Sequence, residues 1–200
     1  TFCMCPGGVV VAAASEKGRV VTNGMSEFAR AAENANSALL VGVSEKDFGS
    51  NSPLAGMYFQ RKLEENTFIA GDSSYRAPAV FVGDFFRRKV SQKLGDVRPT
   101  YLPGVALGGF KQVLPEEIAD SLRLGIVEMA KKLHGFDCYD AVLTGVETRS
   151  SSPVRIVRDE TMQSNIKGLY PCGEGAGYAG GITSAAADGL KAVYALQQDK

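Results

Sequence analysis

The chain has 200 residues, 44% of them hydrophobic and 22% charged, which is enough to bury the core of one fair-sized domain. Its 22 basic and 22 acidic side chains give a formal net charge of zero, which argues against a basic surface that binds nucleic acid or anionic membranes. No apolar run approaches the roughly 20 residues that a membrane-spanning helix requires.

The four cysteines indicate reduced thiols rather than a disulfide framework. Cys3 and Cys5 form the only close pair, and their C-x-C spacing is too tight for an ordinary disulfide. The spacing also differs from the C-x-x-C of zinc and redox sites, and His134 is the only histidine. We therefore predict a cytoplasmic protein that has no metal site and binds neither nucleic acid nor membrane.

The first part of the chain predicts strands followed by a helix. Residues 8–22 favour a β-hairpin, because two β-branched runs flank a polar turn. The continuously apolar stretch 36–44 predicts a strand that is buried on both faces. Ser52 and Pro53 then predict the N-cap and first residue of a helix that ends at Gly71.

The second part alternates irregular and regular segments. Residues 72–113 predict one short helix, within "APAVFVGDFFRRKVSQKL", and a connection rich in proline and glycine. Residues 115–134 predict the strongest helix, with acidic residues in its first turn, basic residues in its last and one apolar stripe. "YDAVLTGVETRSSSPVRIVRD" predicts two further strands. This order of elements favours an α+β fold with a mixed or antiparallel sheet and packed helices.

The segment 167–196 reads as a short strand, a glycine-rich loop and a helix of small residues. Glycines leave the backbone open to a close ligand, and the start of a helix favours negative charge. Residue chemistry alone leaves two alternatives, a seat for a cofactor or phosphate group and a turn that only packs. The candidate cofactor-binding residues are Gly173, Glu174, Gly175, Gly180, Gly181 and Ile182.

Several separated motifs carry a family resemblance. "TFCMCPGG", "VTNGMS", "GVETRSSSPVRI" and "KGLYPCGEGAGYAGGITSAAADGLKA" occur in this order. Together they resemble the C-terminal portion of bacterial FAD-dependent dehydrogenases of the glutathione-reductase-like flavoprotein superfamily. The resemblance implies that residues 1–145 form a substrate-side domain. It also implies that residues 146–200 are the last segment of a Rossmann-like FAD domain.

The resemblance also assigns roles within the loop. In such flavoproteins the acidic residue at the position of Glu174 contacts the ribityl–pyrophosphate part of FAD, although an Asp is commoner there than a Glu. The helix start at Gly181 and Ile182 points at the edge of the flavin ring that becomes negative on reduction. The strand–G-x-G-x-x-G–helix unit that opens these proteins is absent near the start of this sequence, and the G-x-G-x-x-G frames within the glycine loop follow from its glycine density alone. We therefore expect a fragment whose partner is its own missing N-terminal FAD-binding domain, and which is inactive and free of FAD by itself.

The candidate substrate residues are assigned from their side-chain chemistry. Arg149, with Ser151 and its serine neighbours, offers a guanidinium fork and hydroxyl groups to an anionic small molecule, or else forms a polar turn. Cys5 offers a thiol that faces the flavin or substrate, or else belongs to a packing segment. No catalytic residue is assigned.

Three functions follow from these observations. The leading one is part of an FAD-dependent oxidoreductase. The second is a phosphotransferase, because "GGITSAAADG" also resembles a phosphate loop that opens a helix. The third is a non-enzymatic interaction domain whose glycine loop only packs.

Overall fold

The computed structural model describes residues 1–108 and 110–198, which form two compact units. The first unit consists of Thr1–Val43 and Arg61–Thr148. The second consists of Ser44–Gln60 and the chain from Arg149 onward.

Four short strands open the first unit: β1 (Phe2–Cys5), β2 (Gly8–Ala12), β3 (Thr22–Ser26) and β4 (Asn36–Ala38). β2 and β3 form an antiparallel hairpin in register from the pair Gly8–Ser26 to the pair Ala12–Thr22. The predicted hairpin is therefore confirmed, although its second strand starts later than its apolar run. β1 pairs with β4, also antiparallel.

The predicted strand over 36–44 is mostly wrong. Only Asn36–Ala38 is a strand, Ala38 is its one buried residue, and Val43 is 42% exposed. The partner strand β1 has only four residues, so only a few residues of the segment 36–44 can form backbone hydrogen bonds with it. The apolar residues that follow Ala38 lie outside any strand.

A fully buried strand forms the centre of the next sheet. The strands of this sheet are β5 (Ala77–Phe81), β6 (Val105–Leu107) and β7 (Val142–Thr144). β5 lies between the other two, parallel to β6 and antiparallel to β7. The sequence predicted one short helix within "APAVFVGDFFRRKVSQKL" and no strand at β5 or β6. A short apolar run does not by itself distinguish a buried strand from a buried helix.

The helices are α1 (Ala55–Ala70), α2 (Val82–Phe86), α3 (Phe110–Val113), α4 (Glu116–Ala130) and α5 (Ile182–Gln198). α1 ends before Gly71 as predicted, but it begins two residues after Pro53. Before it the chain forms a turn, in which the Ala55 N–H donates to the Ser52 carbonyl at 2.9 Å. α4 confirms the strongest predicted helix, although it ends at Ala130, so the basic residues predicted for its last turn lie after it. α2 confirms the short helix.

The main apolar core of the first unit lies between β5, α2 and α4. Val80, Val82, Phe85 and Ile126 are each at most 4% exposed and pack together with Ala119. Ile126 and Leu122 of the predicted apolar stripe face this core, whereas Leu133 of that stripe is exposed and lies beyond the end of α4. Burial of these side chains is the largest favourable contribution that we can assign to this unit.

One arginine adds a directional link between α2 and α4. The Arg123 Nε–H donates to the Phe85 carbonyl at 2.9 Å, and its guanidinium lies 4.5 Å from the centre of the Phe85 ring. The same guanidinium pairs with Asp120 at 2.6 Å, and these hydrogen bonds lower the pKa of that carboxyl. Arg123 therefore gives the Phe85 carbonyl a second donor at the end of α2, beside the Arg88 N–H at 3.2 Å.

The second unit is organised differently. Residues 44–60 and 149–198 contain no strand, so the strand predicted after Pro153 and the short strand predicted before the glycine loop are wrong. Their backbone groups bond instead to loops, as where the Ile156 N–H donates to the Ala176 carbonyl at 3.1 Å. The strand predicted before Arg149 is confirmed by β7. α5 confirms the predicted C-terminal helix.

The described chain thus combines helices with small antiparallel sheets and one mixed sheet. Assignment of its last segment to a Rossmann-like FAD domain stays a prediction. In the described part of the chain no helix has the length and apolar character needed to cross a bilayer.

We expect Ile126→Ala to lower the free energy of unfolding by about 2–5 kcal/mol, because it leaves a cavity in the core. Leu124→Ala is the matched control, since Leu124 lies on the same helix and is 63% exposed. Urea unfolding followed by circular dichroism measures both. Equal losses in the two variants would contradict the assigned core.

Candidate functional site

The glycine loop, residues 171–181, joins an extended segment to α5 and contains two glycines with left-handed backbone. Gly173 has φ +71° and Gly177 has φ +84°, a region that other residues rarely adopt. Between them the chain turns tightly, with the Gly177 N–H donating to the Glu174 carbonyl at 2.9 Å and the Tyr178 N–H to the Gly173 carbonyl at 3.0 Å.

The glycines of the loop have different surroundings. A Cβ at Gly177 would lie 2.5 Å from the Val154 carbonyl oxygen, so this glycine serves close packing. Gly175 and Gly180 are exposed, and a Cβ on either would meet no atom within 4 Å. These two glycines therefore leave open space that a ligand can enter.

An ion pair between Arg158 and Asp188 holds the start of the loop. Two guanidinium nitrogens donate to the two Asp188 oxygens at 2.8 and 2.7 Å, and one of them also donates to the Pro171 carbonyl at 2.7 Å. The Gly173 N–H donates to Asp188 at 2.9 Å. Both side chains are nearly buried, 11% and 13% exposed. The Arg158 hydrogen bonds and the Gly173 N–H lower the pKa of Asp188 to about 2.

Tyr178 reinforces this contact from the far end of the loop. The Arg158 guanidinium lies 3.6 Å from the centre of the Tyr178 ring. The Tyr178 hydroxyl accepts the Arg158 backbone N–H at 3.1 Å and donates to the Ile156 carbonyl at 3.0 Å. Arg155 donates to the Gly177 carbonyl at 3.0 Å. The segment 155–158 therefore supports both ends of the loop.

The loop ends at an open helix N-terminus. The Ala185 N–H makes the first helical hydrogen bond of α5, to the Gly181 carbonyl at 2.8 Å, so the three preceding N–H groups have no partner within the helix. The Ser184 hydroxyl accepts the Gly181 N–H at 3.2 Å. Ile182 is 94% exposed. This end of α5 presents donors and a partial positive charge to whatever approaches it.

Five of the six candidate cofactor residues are exposed, in two runs that the buried Ala176 and its half-buried neighbours separate. They are Glu174, Gly175, Gly180, Gly181 and Ile182. Gly173 is half-buried, and its N–H is taken by Asp188, so its part in the loop is the left-handed turn rather than donation to a ligand. That these residues bind a cofactor stays a prediction.

The candidate substrate residues are more scattered. Arg149 is half-buried and Ser151 is exposed. Ser152, rather than Ser151, contacts the glycine loop, through a hydrogen bond to the Gly175 carbonyl at 3.1 Å. Cys5 lies in the first unit, at the end of β1, where its thiol donates to the Cys3 carbonyl at 3.3 Å. Their roles toward a substrate stay predictions.

Cys3, two residues before Cys5, carries an exposed thiol. Partial desolvation and the nearby Glu147 and Cys5 raise the pKa of Cys3. Burial also raises the pKa of Glu147. At neutral pH Cys3 is therefore a thiol rather than the nucleophilic thiolate.

Sequence reasoning missed Arg158, Tyr178 and Asp188, the side chains that position the loop. One signal was available for Asp188, which is the single acidic residue in an otherwise small and apolar helix start. A carboxylate in such a place usually has a partner. Nothing local identified Arg158 as that partner, since 30 residues separate the two.

We expect Gly177→Ala to destabilise the second unit, because the new methyl group would clash with the Val154 carbonyl and φ is positive there. Gly175→Ala is the control, since its Cβ would meet open space. Thermal unfolding followed by tyrosine fluorescence compares them. A similar melting temperature for both variants would contradict the packing role of Gly177.

Asp188 should make stability depend on pH in acid. Its pKa is lowered from 3.8 to about 2, so its stabilising effect is complete above about pH 4 and is lost as the pH falls toward 2. Asp188→Asn should lower stability at pH 7, and the difference from wild type should shrink as pH falls through this window. Urea midpoints at several pH values measure this, and a difference independent of pH would refute it.

Comparison with known proteins gives two matches. Residues 1–150 match the family model described as FAD-dependent protein, C-terminal domain-like. Over 192 residues the chain is 55% identical to a Clostridium beijerinckii protein described as uncharacterized. That match covers 96% of this chain and 36% of the relative, so the chain spans about a third of the relative's length. The glycine loop follows the residues that the family model covers. The chain belongs to the family of C-terminal domains of FAD-dependent proteins.

Proposed function

We propose that the chain is the C-terminal part of an FAD-dependent oxidoreductase. Family membership over residues 1–150 is the observation that carries this proposal. Residues 1–145 would form the substrate-side domain, and residues 146–200 would complete the FAD site. Catalysis requires the whole polypeptide, and this segment alone is inactive. The proposed location is the cytoplasm, which suits its free cysteines.

The surroundings of the loop fit one part of an FAD molecule. The open space at Gly175 and Gly180 admits a ligand to the main chain, and the start of α5 supplies donors for a polar ring edge. The exposed Glu174 carboxylate accepts hydrogen bonds from sugar-like hydroxyls. FAD, when bound, supplies the electron-transfer chemistry. The protein orients it and stabilises negative charge near the helix end.

The rest of the FAD site would come from a longer polypeptide. The C. beijerinckii relative is nearly three times as long as the aligned segment, which leaves room for a dinucleotide-binding domain. α5 supports this idea, because Leu190, Val193 and Tyr194 are each at least 50% exposed. An apolar surface of this kind is usually covered in the complete protein.

We further propose that the substrate is a small molecule. Arg149 and Ser151 are the proposed anion-binding groups, and Cys5 is the proposed thiol of the substrate-side domain.

The visible spectrum and cofactor mass of the full-length gene product test the proposal. We expect a flavin absorption band and a released cofactor with the mass of FAD. A colourless full-length protein that fails to take up added FAD would overturn it.

Gly180→Ala should weaken FAD binding by the full-length protein without lowering its melting temperature. The new methyl group meets no protein atom, but it would occupy the space through which the cofactor approaches. Gly42→Ala is the matched control, because its Cβ also meets open space but lies in the first unit. FAD titration by fluorescence quenching measures both, and unchanged affinity in Gly180→Ala would contradict the assigned approach.

A further inference from the structure

The glycine loop lacks the support that a sheet would give it. Residues 149–198 contain no strand, and the loop's own turn is closed by two backbone hydrogen bonds. A glycine-rich chain has many accessible conformations, and ordering it when a ligand binds costs free energy. The loop therefore needs another restraint if it is to present its open face in one conformation.

Arg158 and Asp188 supply that restraint. Together they bind the Pro171 carbonyl and the Gly173 N–H, which lie immediately before the exposed Glu174. The pair is bidentate and nearly buried, so its geometry is well defined and poorly screened by solvent. It also connects the loop to α5, because Asp188 lies on that helix.

The pair itself faces the protein rather than the open side of the loop. Both Asp188 oxygens and both Arg158 terminal nitrogens are engaged within the second unit. The Arg158 guanidinium is further covered by the Tyr178 ring. In the described part of the chain, the hydrogen bonds of these two side chains all have partners within the second unit, whereas Gly175 and the start of α5 are exposed.

From this arrangement we infer that Arg158 and Asp188 are positioning residues for the cofactor. They hold the loop and the start of α5 in the arrangement that binds FAD, and they contact no part of FAD themselves. This inference rests on the proposed function. It predicts that breaking the pair lowers FAD affinity by more than the accompanying loss of stability explains.

The test uses the full-length protein with Asp188→Asn and Arg158→Lys. Asn keeps an acceptor for the Gly173 N–H but loses the charge, and we expect FAD affinity to fall about tenfold. Lys keeps the charge but cannot reproduce the planar fork that reaches two carboxylate oxygens and the Pro171 carbonyl, so we expect a smaller fall. Affinity is measured at a temperature where circular dichroism shows every variant folded. The shape of the flavin visible band reports the environment of any cofactor still bound.

Two controls separate positioning from stability. Asp159→Asn makes the same chemical change next to Arg158, at a carboxylate that bonds to Thr161 and Gln163 rather than to the loop. Ile126→Ala destabilises the core of the first unit. Both should keep FAD affinity near that of wild type.

The outcomes are distinguishable. A wild-type protein without FAD overturns the proposed function, and this inference with it. Wild-type protein that binds FAD, combined with unchanged affinity in Asp188→Asn, overturns the inference and leaves the function intact. So does an equal loss of affinity in Ile126→Ala. A loss confined to Arg158 and Asp188 variants, with an altered flavin band, supports it.

Discussion

The ion pair between Arg158 and Asp188 is the interaction on which the C-terminal unit depends. A chain without strands must satisfy its backbone groups by other means. Here the Arg158 guanidinium donates to the Pro171 carbonyl, and the Asp188 carboxylate of α5 accepts the Gly173 N–H. The desolvation penalty of these charges is offset by the bidentate ion pair and by its hydrogen bonds to the Pro171 carbonyl and the Gly173 N–H.

The first unit is stabilised mainly by an apolar core rather than by an ion pair. Its buried strand β5 is bonded on both edges, and α4 covers it with apolar side chains. Polar links such as that of Arg123 to the Phe85 carbonyl are additions to a core that already exists. The family match coincides mainly with this apolar unit, whereas the candidate cofactor loop depends on charge and hydrogen bonds.

Local signals in the sequence predicted local structure well. The hairpin, α4 and α5 each carry their periodicity and end signals within a single segment. β5 was missed because an apolar run of its length fits a strand or a helix equally. Glycine density identified the loop, but Arg158 and Asp188 could not be paired from sequence, since their contact depends on how the intervening 30 residues fold.

The charge balance of the loop has a consequence for what it can hold. Residues 171–182 include no lysine or arginine, and the charge of Arg158 is neutralised by Asp188. Glu174 adds a negative charge, whereas Arg155, which donates to the Gly177 carbonyl, and the α5 terminus add positive charge. The surface of the loop is therefore close to neutral. Uncharged groups rich in hydroxyls and carbonyls suit such a surface, and the two charges of a pyrophosphate would need further cations.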